Sequence, residues 1–171
     1  MTIKQSIWLR AEIKPHERRA PLTPTDAHEL IKHKYKVVVE RSKMRIFKDD
    51  DYLRAGCKLV DAGTWTDAPL NTYILGIKEL PDSDAPLKHH HIYFAHAYKE
   101  QDGAEQLLNR FNEGRGLLYD LEFLQDNNGH RVTVFSYWAG VAGCAATLLL
   151  WIQKQNNQVF KIPEFFPDES S

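Results

Sequence analysis

Short apolar runs alternate along most of the chain with segments in which apolar residues repeat at helical spacing. The apolar runs predict strands at 7–12, 35–39, 58–61 and 117–124, and two more that begin at Tyr73 and Ile92. The intervening segments predict helices that begin after Thr23 and span 47–55 and 101–112, the last with Leu107, Leu108 and Phe111 facing the interior. Alternation of this kind is typical of an α/β domain. We therefore expect a three-layer fold with a mostly parallel, flavodoxin-like sheet.

The last third of the chain departs from that alternation. Asp126 to Gly129 reads D-N-N-G, a strong turn signal that predicts a C-terminal β-hairpin between 117–124 and 131–135. A long terminal helix is predicted at 136–155, apolar almost all round and therefore expected to be buried on more than one side. These boundaries predict a domain over 1–135, an inter-domain type of helix over 136–156 and a tail over 157–171.

The amino-acid composition argues against two classes of partner, nucleic acids and membranes. The chain has 171 residues, 43% of them hydrophobic, with a formal net charge of -1. That balance gives no basic surface for nucleic acid. The apolar stretch 139–152 is shorter than the roughly 20 residues that span a bilayer, so no membrane partner is expected. Cys57 and Cys144 are interpreted as small buried hydrophobes. With no apolar signal core at the N-terminus, we expect a reducing, cytoplasmic setting.

Charged residues follow two of the predicted strands directly. Lys78 and Glu79 follow the strand that begins at Tyr73, and His96 and Lys99 follow the next. Ligands of parallel sheets gather beyond the carboxyl ends of the strands. Lysine and histidine are the basic side chains whose proton affinity a site tunes most readily. The residues alone leave open a structural alternative, a lysine at a strand end and a half-buried histidine.

A charged loop that contains Pro15 and Pro21 follows the first strand. It carries Lys14, His16, Glu17, Arg18 and Arg19. Loops at strand ends commonly carry binding groups, but composition equally allows a solvated basic surface.

The predicted hairpin brings Glu122 near Arg131, one on each arm. From spacing alone, an ion pair on the surface is the favoured interpretation of these two residues.

Three consecutive histidines, His89 to His91, raise the question of a metal. Adjacent side chains on a strand point to opposite faces, and no second group of ligands accompanies them, so no metal site is predicted. A dinucleotide-binding turn is not predicted either. The G-V-A-G at Gly140 lies inside a helix rather than after a strand.

Several motifs, taken together and in order, resemble one enzyme family. They are W-L-R-A-E-I-K-P-H-E-R-R-A-P-L-T-P, G-I-K-E-L-P, F-A-H-A-Y-K-E-Q, L-Y-D-L-E-F-L, and G-H-R-V-T-V-F followed by a helix of small residues. This set resembles the N-terminal half of NAD-dependent, lysine-forming saccharopine dehydrogenases. Their superfamily includes alanine dehydrogenase and transhydrogenase, and E-R-R-A-P-L-T-P is shared with alanine dehydrogenases.

The resemblance implies an activity and a set of roles. Saccharopine is cleaved oxidatively to lysine and 2-oxoglutarate, with Lys78 and His96 as the acid–base pair. Glu17, Glu79 and Glu122 adjust the charge state of that pair. The three carboxylates of saccharopine require cations. The substrate-binding residues implied are Lys14, Arg19, Lys99 and Arg131.

The resemblance also implies a missing part. The family's NAD-binding Rossmann domain is absent from this chain, so NAD is expected only through a missing or partner domain, and the chain alone is expected to be inactive. Two other functions stay open: a non-catalytic module that binds an amino acid, a 2-oxo acid or a subunit, and an alanine dehydrogenase-like enzyme. The uncovered helix 136–156 also predicts a homo-oligomer.

Overall fold

Six strands form one sheet in the computed structural model, which describes residues 5–99, 102–134 and 136–159. The strands are β1 (Ser6–Leu9), β2 (Lys36–Glu40), β3 (Lys58–Val60), β4 (Thr72–Leu75), β5 (His90–Tyr93) and β6 (Leu117–Asp120). Their order across the sheet is β3-β2-β1-β4-β5-β6. Every strand pairing in the described residues is parallel. The predicted α/β class with a mostly parallel sheet is confirmed.

The strand order contains the predicted flavodoxin-like arrangement. Without the edge strand β3 the order is that of a five-stranded flavodoxin-like sheet, and β3 extends it by one strand. The direction in which the chain crosses the sheet reverses between β1 and β4. In open α/β sheets this reversal point leaves a crevice beyond the carboxyl ends of the two strands.

Four α-helices accompany the strands within the described residues. They are α1 (Pro24–Lys32), α2 (Asp49–Arg54), α3 (Ala104–Gly114) and α4 (Ser136–Gln155). Shorter 3-10 turns cover Thr64–Asp67, Ala97–Lys99 and Leu121–Phe123. Helix α1 begins as predicted, because the Thr23 side chain accepts a hydrogen bond from the Asp26 backbone and Pro24 occupies the first turn.

Two apolar clusters lie on opposite faces of the sheet and give the three layers. On one face Leu9 and Val39 pack with Ala27 of α1 and Tyr52 of α2. On the other face Trp8, the neighbour of Leu9, packs against a cluster formed by Trp65, Ile74, Leu80, Tyr93 and Phe111. The alternation of Trp8 and Leu9 follows the two-residue period of a strand.

One of the two cysteines is buried, as predicted. Cys57 is buried in the cluster beneath α1 and α2, and burial raises the pKa of its thiol to about 11. It therefore stays protonated at neutral pH and serves as a small packing group.

Helix α3 corrects one prediction about packing. The sequence predicted that Leu107, Leu108 and Phe111 all face the interior. Leu107 and Phe111 do pack in the second cluster, but Leu108 is 49% exposed. Residues four apart share a helix face, whereas adjacent residues lie about 100° apart.

The predicted C-terminal hairpin is largely replaced by turns. Strand β6 stops at Asp120, whose side chain accepts a hydrogen bond from the Glu122 backbone at 3.0 Å and starts the 3-10 turn. Asp120 and Glu122 are therefore not related by strand periodicity. The D-N-N-G turn does form, but antiparallel pairing in the described residues is a single bridge between Gln125 and Arg131. Phe135 lies outside the described residues.

The chain divides into two compact units, Met1–Arg131 and Val132–Ser171. The second contains α4, which has the predicted bounds but not the expected burial: Trp138, Leu148 and Trp151 are each more than half exposed. Cys144 is exposed as well, contrary to the prediction. From residue 160 the predicted tail lies outside the described residues. None of the helices described, α4 included, has the length and apolar character needed to cross a membrane.

Candidate functional site

Lys78 and His96 lie where the sequence placed them, beyond the carboxyl ends of two neighbouring parallel strands. Strands β4 and β5 pair with Leu75 opposite Ile92. The pairing continues past the strands, because Phe94 N donates to Ile77 O at 3.2 Å. Lys78 and His96 therefore follow adjacent chain segments at one edge of the sheet. Both residues are partly buried.

A small pocket connects the two segments. It has a volume of about 160 Å³, and its lining includes Glu79, Tyr93, His96 and Arg110. The side chain that follows Lys78 thus shares a cavity with the candidate histidine.

His96 is held in an unusual backbone conformation. Its φ angle is +54°, in the left-handed region that non-glycine residues seldom adopt. The His96 N–H donates to Asp120 Oδ2 at 2.9 Å, while Asp120 Oδ1 accepts from the Glu122 N–H. One carboxylate therefore fixes the main chain of both His96 and Glu122. Backbone strain of this kind persists only where surrounding contacts enforce it.

Glu122 faces several partners at once. Its Oε2 lies 3.7 Å from His96 Nδ1, and its Oε1 lies 3.0 Å from Arg131 Nη2 and 3.3 Å from the Tyr98 hydroxyl. The Glu122 side chain is only 13% exposed. The predicted proximity of Glu122 and Arg131 is confirmed. The pair differs from an ordinary surface ion pair because its carboxylate is largely buried and also faces the histidine.

The charged loop after β1 lies on the Lys78 side of the site. The Arg19 side chain donates to Glu17 Oε1 at 2.8 Å, and these hydrogen bonds hold the pKa of Glu17 below its ordinary value. The positive charge of Lys78 lowers the pKa of Glu17 in the same direction. Because Glu17 is buried, this loop is not simply a solvated basic surface.

An ion pair joins that loop to the segment after β4. Lys14 Nζ lies 3.3 Å from Glu79 Oε2, with both side chains about half exposed. Partial burial raises the pKa of Glu79, but its backbone hydrogen bond and the charges of Lys14 and Lys78 outweigh this, so the net pKa is lowered. Since β1 and β4 flank the reversal point of the sheet, this ion pair spans the crevice expected there.

The structure therefore brings together most of the predicted residues in two groups. Around Lys78 lie Lys14, Glu17, Arg19 and Glu79. Around His96 lie Glu122 and Arg131. Lys99 ends the 3-10 turn that follows His96, but its side chain is outside the described part of the chain, and its role stays a prediction.

The three histidines alternate between faces as predicted. His89 and His91 are buried on one face, whereas His90 packs against Tyr73 and Tyr119 on the other. His89 Nε2 lies 2.8 Å from the Ala68 carbonyl oxygen. Within the described residues no group of three or more metal-ligating side chains converges.

Three side chains that support the site were not among the predicted residues. Arg10 and Glu12 are almost fully buried and contact the main chain at Lys78, and Asp120 holds His96. A signal was present: R-A-E places two charges, two residues apart, at the end of an otherwise apolar strand. Charged groups seldom occur there unless they are paired.

This arrangement defines a class of protein. The alanine dehydrogenase/PNT N-terminal domain family matches residues 8–142, and the chain belongs to that family. The family resemblance inferred from the motifs is thereby confirmed.

Individual relatives narrow the branch. The chain is 49% identical over 168 residues to a saccharopine dehydrogenase (NAD(+), L-lysine-forming) of Schizosaccharomyces pombe, covering 96% of this chain and 46% of the relative. It is 54% identical over 146 residues to the enzyme of that name from Emericella nidulans, covering 85% of this chain and 39% of the relative. The chain thus spans less than half the length of these curated relatives.

A solved structure shows the fold independently. The transhydrogenase of Sinorhizobium meliloti superposes with a TM-score of 0.62 at 18% identity, covering 84% of this chain and 43% of that one. At this identity the likeness concerns the fold alone.

Proposed function

We propose that this chain is the substrate-binding, acid–base half of a saccharopine dehydrogenase-like oxidoreductase. The overall reaction would convert saccharopine, NAD(+) and water into lysine, 2-oxoglutarate, NADH and a proton. The observation that supports the proposal best is the position of Lys78 and His96 at adjacent strand ends, each beside a glutamate, within the region matched by the family.

The proposed chemistry asks two things of this chain. One group takes the proton from the secondary amine of saccharopine, and another activates the water that attacks the resulting imine and moves protons through the carbinolamine. Lys78 and His96 divide these tasks. Glu79 lies close enough to interact electrostatically with Lys78, and the Glu122 carboxylate lies 3.7 Å from His96.

Substrate binding is assigned to the cations around the two bases. Lys14, Arg19 and Arg131 are each paired with a glutamate, and each keeps about half of its side chain exposed. A substrate carboxylate can therefore approach these groups and share them with Glu79, Glu17 and Glu122. An arginine can grip a carboxylate through two parallel hydrogen bonds.

Among the described residues, the turn after β1 is not of the glycine-rich kind that binds a dinucleotide. Strand β1 leads into the charged loop of residues 14–19, not into a glycine-rich turn that could approach a pyrophosphate. The relatives' printed names include NAD(+). In this proposal NAD is held by a domain outside this chain. A cytoplasmic setting is also part of the proposal, supported by two cysteines that are both unpaired.

Reconstitution tests the proposal. The chain would be mixed with the separately produced dinucleotide-binding half of the Schizosaccharomyces pombe relative, and NADH formation from saccharopine would be followed. We expect NADH only when both halves are present. Lys78→Ala or His96→Ala should lower the rate at least about a hundredfold, since a positioned acid or base contributes that much.

The controls remove a lysine or a histidine from the surface of helix α1. Lys32→Ala and His33→Ala should retain the reconstituted rate. Saccharopine binding without NADH formation in any mixture would favour the non-catalytic module. Turnover of alanine or pyruvate in place of saccharopine would favour the alanine dehydrogenase-like enzyme.

Helix α4 supports a separate proposal about assembly. Its exposed apolar side chains include Tyr137, Trp138, Val141, Leu148 and Trp151. We infer that, when this chain is produced alone, two copies associate through this helix, because exposed apolar patches of this kind mark interaction surfaces. Sedimentation should show a dimer that Leu148→Glu converts to a monomer. Gln155→Glu, which adds the same charge to the same helix, should leave the dimer intact; a wild-type monomer at high concentration would refute the inference.

A further inference from the structure

Side chains at the end of β1 contact the main chain of the segment that carries Lys78. The last main-chain bond between β1 and β4 runs from Arg10 N to Leu75 O at 3.0 Å. Beyond it, Glu12 Oε1 accepts from the Ile77 N–H at 2.7 Å and Glu12 Oε2 accepts from the Lys78 N–H at 3.1 Å. The Glu12 side chain thus continues the hydrogen bonding of the sheet where the strand stops.

Arg10 completes the contact. Its guanidinium donates to the Lys78 carbonyl oxygen and lies 3.4 Å from Glu12 Oε2. Both polar groups of the Lys78 main chain are therefore held, while Phe94 holds the preceding carbonyl, that of Ile77, from the other side. With the N–H and the C=O of Lys78 both fixed, the direction of its Cα–Cβ bond is fixed as well.

Gly76 shows that this contact is closely packed. A Cβ atom at Gly76 would overlap Arg10 Nε, so a side chain at this position would displace the guanidinium. The guanidinium also lies 5.7 Å from the centre of the Tyr93 ring. The side chains of Arg10 and Glu12 are 1% and 7% exposed. Residues this buried do not reach a substrate, and any effect on chemistry would pass through Lys78.

We propose that Arg10 and Glu12 are positioning residues that set the direction of the Lys78 side chain. Buried ion pairs are a poor source of net stability, which leaves geometry as the effect this pair supplies. A misplacement of about 1 Å in a reacting group can cost about a hundredfold in rate. The catalytic part of the inference rests on the proposed function; the geometric part does not.

The geometric part is tested on the chain alone. Glu12→Gln places an amide NH2 against one of the two backbone N–H groups and breaks that bond. Lysine labelling with trinitrobenzenesulfonate, followed by peptide mass spectrometry, would compare Lys78 with Lys36, an exposed lysine that serves as internal reference. We expect the labelling ratio of Lys78 to Lys36 to rise about fivefold in Glu12→Gln. Glu29→Gln, on the surface of α1, should leave the ratio unchanged.

An unchanged ratio in a folded Glu12→Gln chain would overturn the proposal. If that variant does not fold, Glu12→Asp keeps the charge but is too short to reach both N–H groups, and the same rise in the ratio is expected. If neither variant folds, the pair is a structural element, and the proposal is wrong.

The catalytic part is tested in the reconstituted mixture with a double-mutant cycle. Glu12→Gln should lower kcat between about tenfold and a hundredfold while the KM for saccharopine changes little. In a Lys78→Ala background it should have no further effect, since Glu12 acts through Lys78. An equal loss in both backgrounds would overturn the positioning role. Full activity of Lys78→Ala alone would instead refute the proposed function and leave the labelling result standing.

Discussion

Glu40→Gln is expected to lower the free energy of unfolding by about 3 to 5 kcal/mol, because two buried hydrogen bonds would be lost together. Glu40 is fully buried at the end of β2. Its Oε1 accepts from Trp8 Nε1 and the Trp65 N–H, and its Oε2 accepts from the Ala11 and Gly63 N–H groups. Glutamine would turn an NH2 group toward two of these four donors and would leave those two N–H groups without their present acceptor.

Urea unfolding followed by tryptophan fluorescence would measure this change, since Trp8 and Trp65 both contact the carboxylate. The Trp8 indole N–H resonance should also move, which reports the lost bond directly. Glu29→Gln is the matched control: Glu29 is exposed on α1 and pairs with Lys32, so its midpoint should equal that of the wild type. A Glu40→Gln midpoint equal to that of the wild type would show that the four bonds contribute little.

Those features that local patterns determine could be predicted from the sequence. Apolar residues at strand or helix spacing predict where the strands and helices lie and which of their faces are buried. The geometry of a parallel sheet then brings Lys78 and His96 to one edge. The pairing of Glu122 with Arg131 required only a turn between them. These inferences rest on residues near each other in the chain or on the geometry common to parallel sheets.

Other features depend on which backbone N–H groups lie beyond the sheet and need a side-chain acceptor. These features could not be predicted. Glu12, Glu40 and Asp120 each stand at or just beyond the end of a strand and accept N–H groups from segments 23 to 66 residues away. The R-A-E sequence at the end of an apolar strand marks Glu12 as unusual but does not indicate which N–H groups it accepts, and nothing local distinguishes Glu40 and Asp120 from exposed carboxylates. The hairpin prediction was largely wrong because of another carboxylate that binds a backbone N–H group. Asp120 accepts the Glu122 N–H and turns the chain where an extended strand had been predicted.

These three carboxylates suggest how the fold holds its candidate site. Each one accepts hydrogen bonds from at least two backbone N–H groups that lie beyond the ends of the strands. These bonds fix the loops where no strand pairing exists. Glu12 holds Lys78, Asp120 holds His96, and Glu40 holds Ala11 at the entry to the charged loop. Loops that carry binding groups are otherwise the more mobile part of a domain. Rigid support from buried carboxylates is what reacting groups in such loops require.

The second large expected effect is a loss of folding stability at acidic pH, caused by His91. His91 is fully buried, edge-on to Trp65 and Phe111, with both ring nitrogens unpaired in the described residues. Burial, reinforced by the positive charges of neighbouring histidines and arginines, lowers the pKa of His91 from 6.5 to about 3. In the folded chain the ring is therefore neutral over most of the acid range, whereas in the unfolded chain it takes up a proton near pH 6.5.

Stability should consequently fall on acidification. Above pH 6.5 the ring is neutral in both states and has no effect on the pH dependence. Between pH 6.5 and pH 3 the unfolded state binds the extra proton, so the free energy of unfolding decreases by about 1.4 kcal/mol per pH unit, or about 5 kcal/mol in all. Acid unfolding of this chain should begin well above the range in which carboxylates alone would cause it.

His91→Leu isolates this effect, because leucine is similar in volume and cannot be protonated. We expect the variant to lose about 3 kcal/mol less than the wild type between pH 6.5 and pH 4 in urea titrations repeated across that range. Using the change with pH removes any difference in packing between the two side chains at neutral pH. His33→Gln also removes one histidine, but from the surface at the end of α1, and should follow the wild-type curve. Parallel curves for His91→Leu and the wild type would mean that His91 is protonated equally in the folded and unfolded chains. The buried ring would then have to reach water or an acidic partner in the native state.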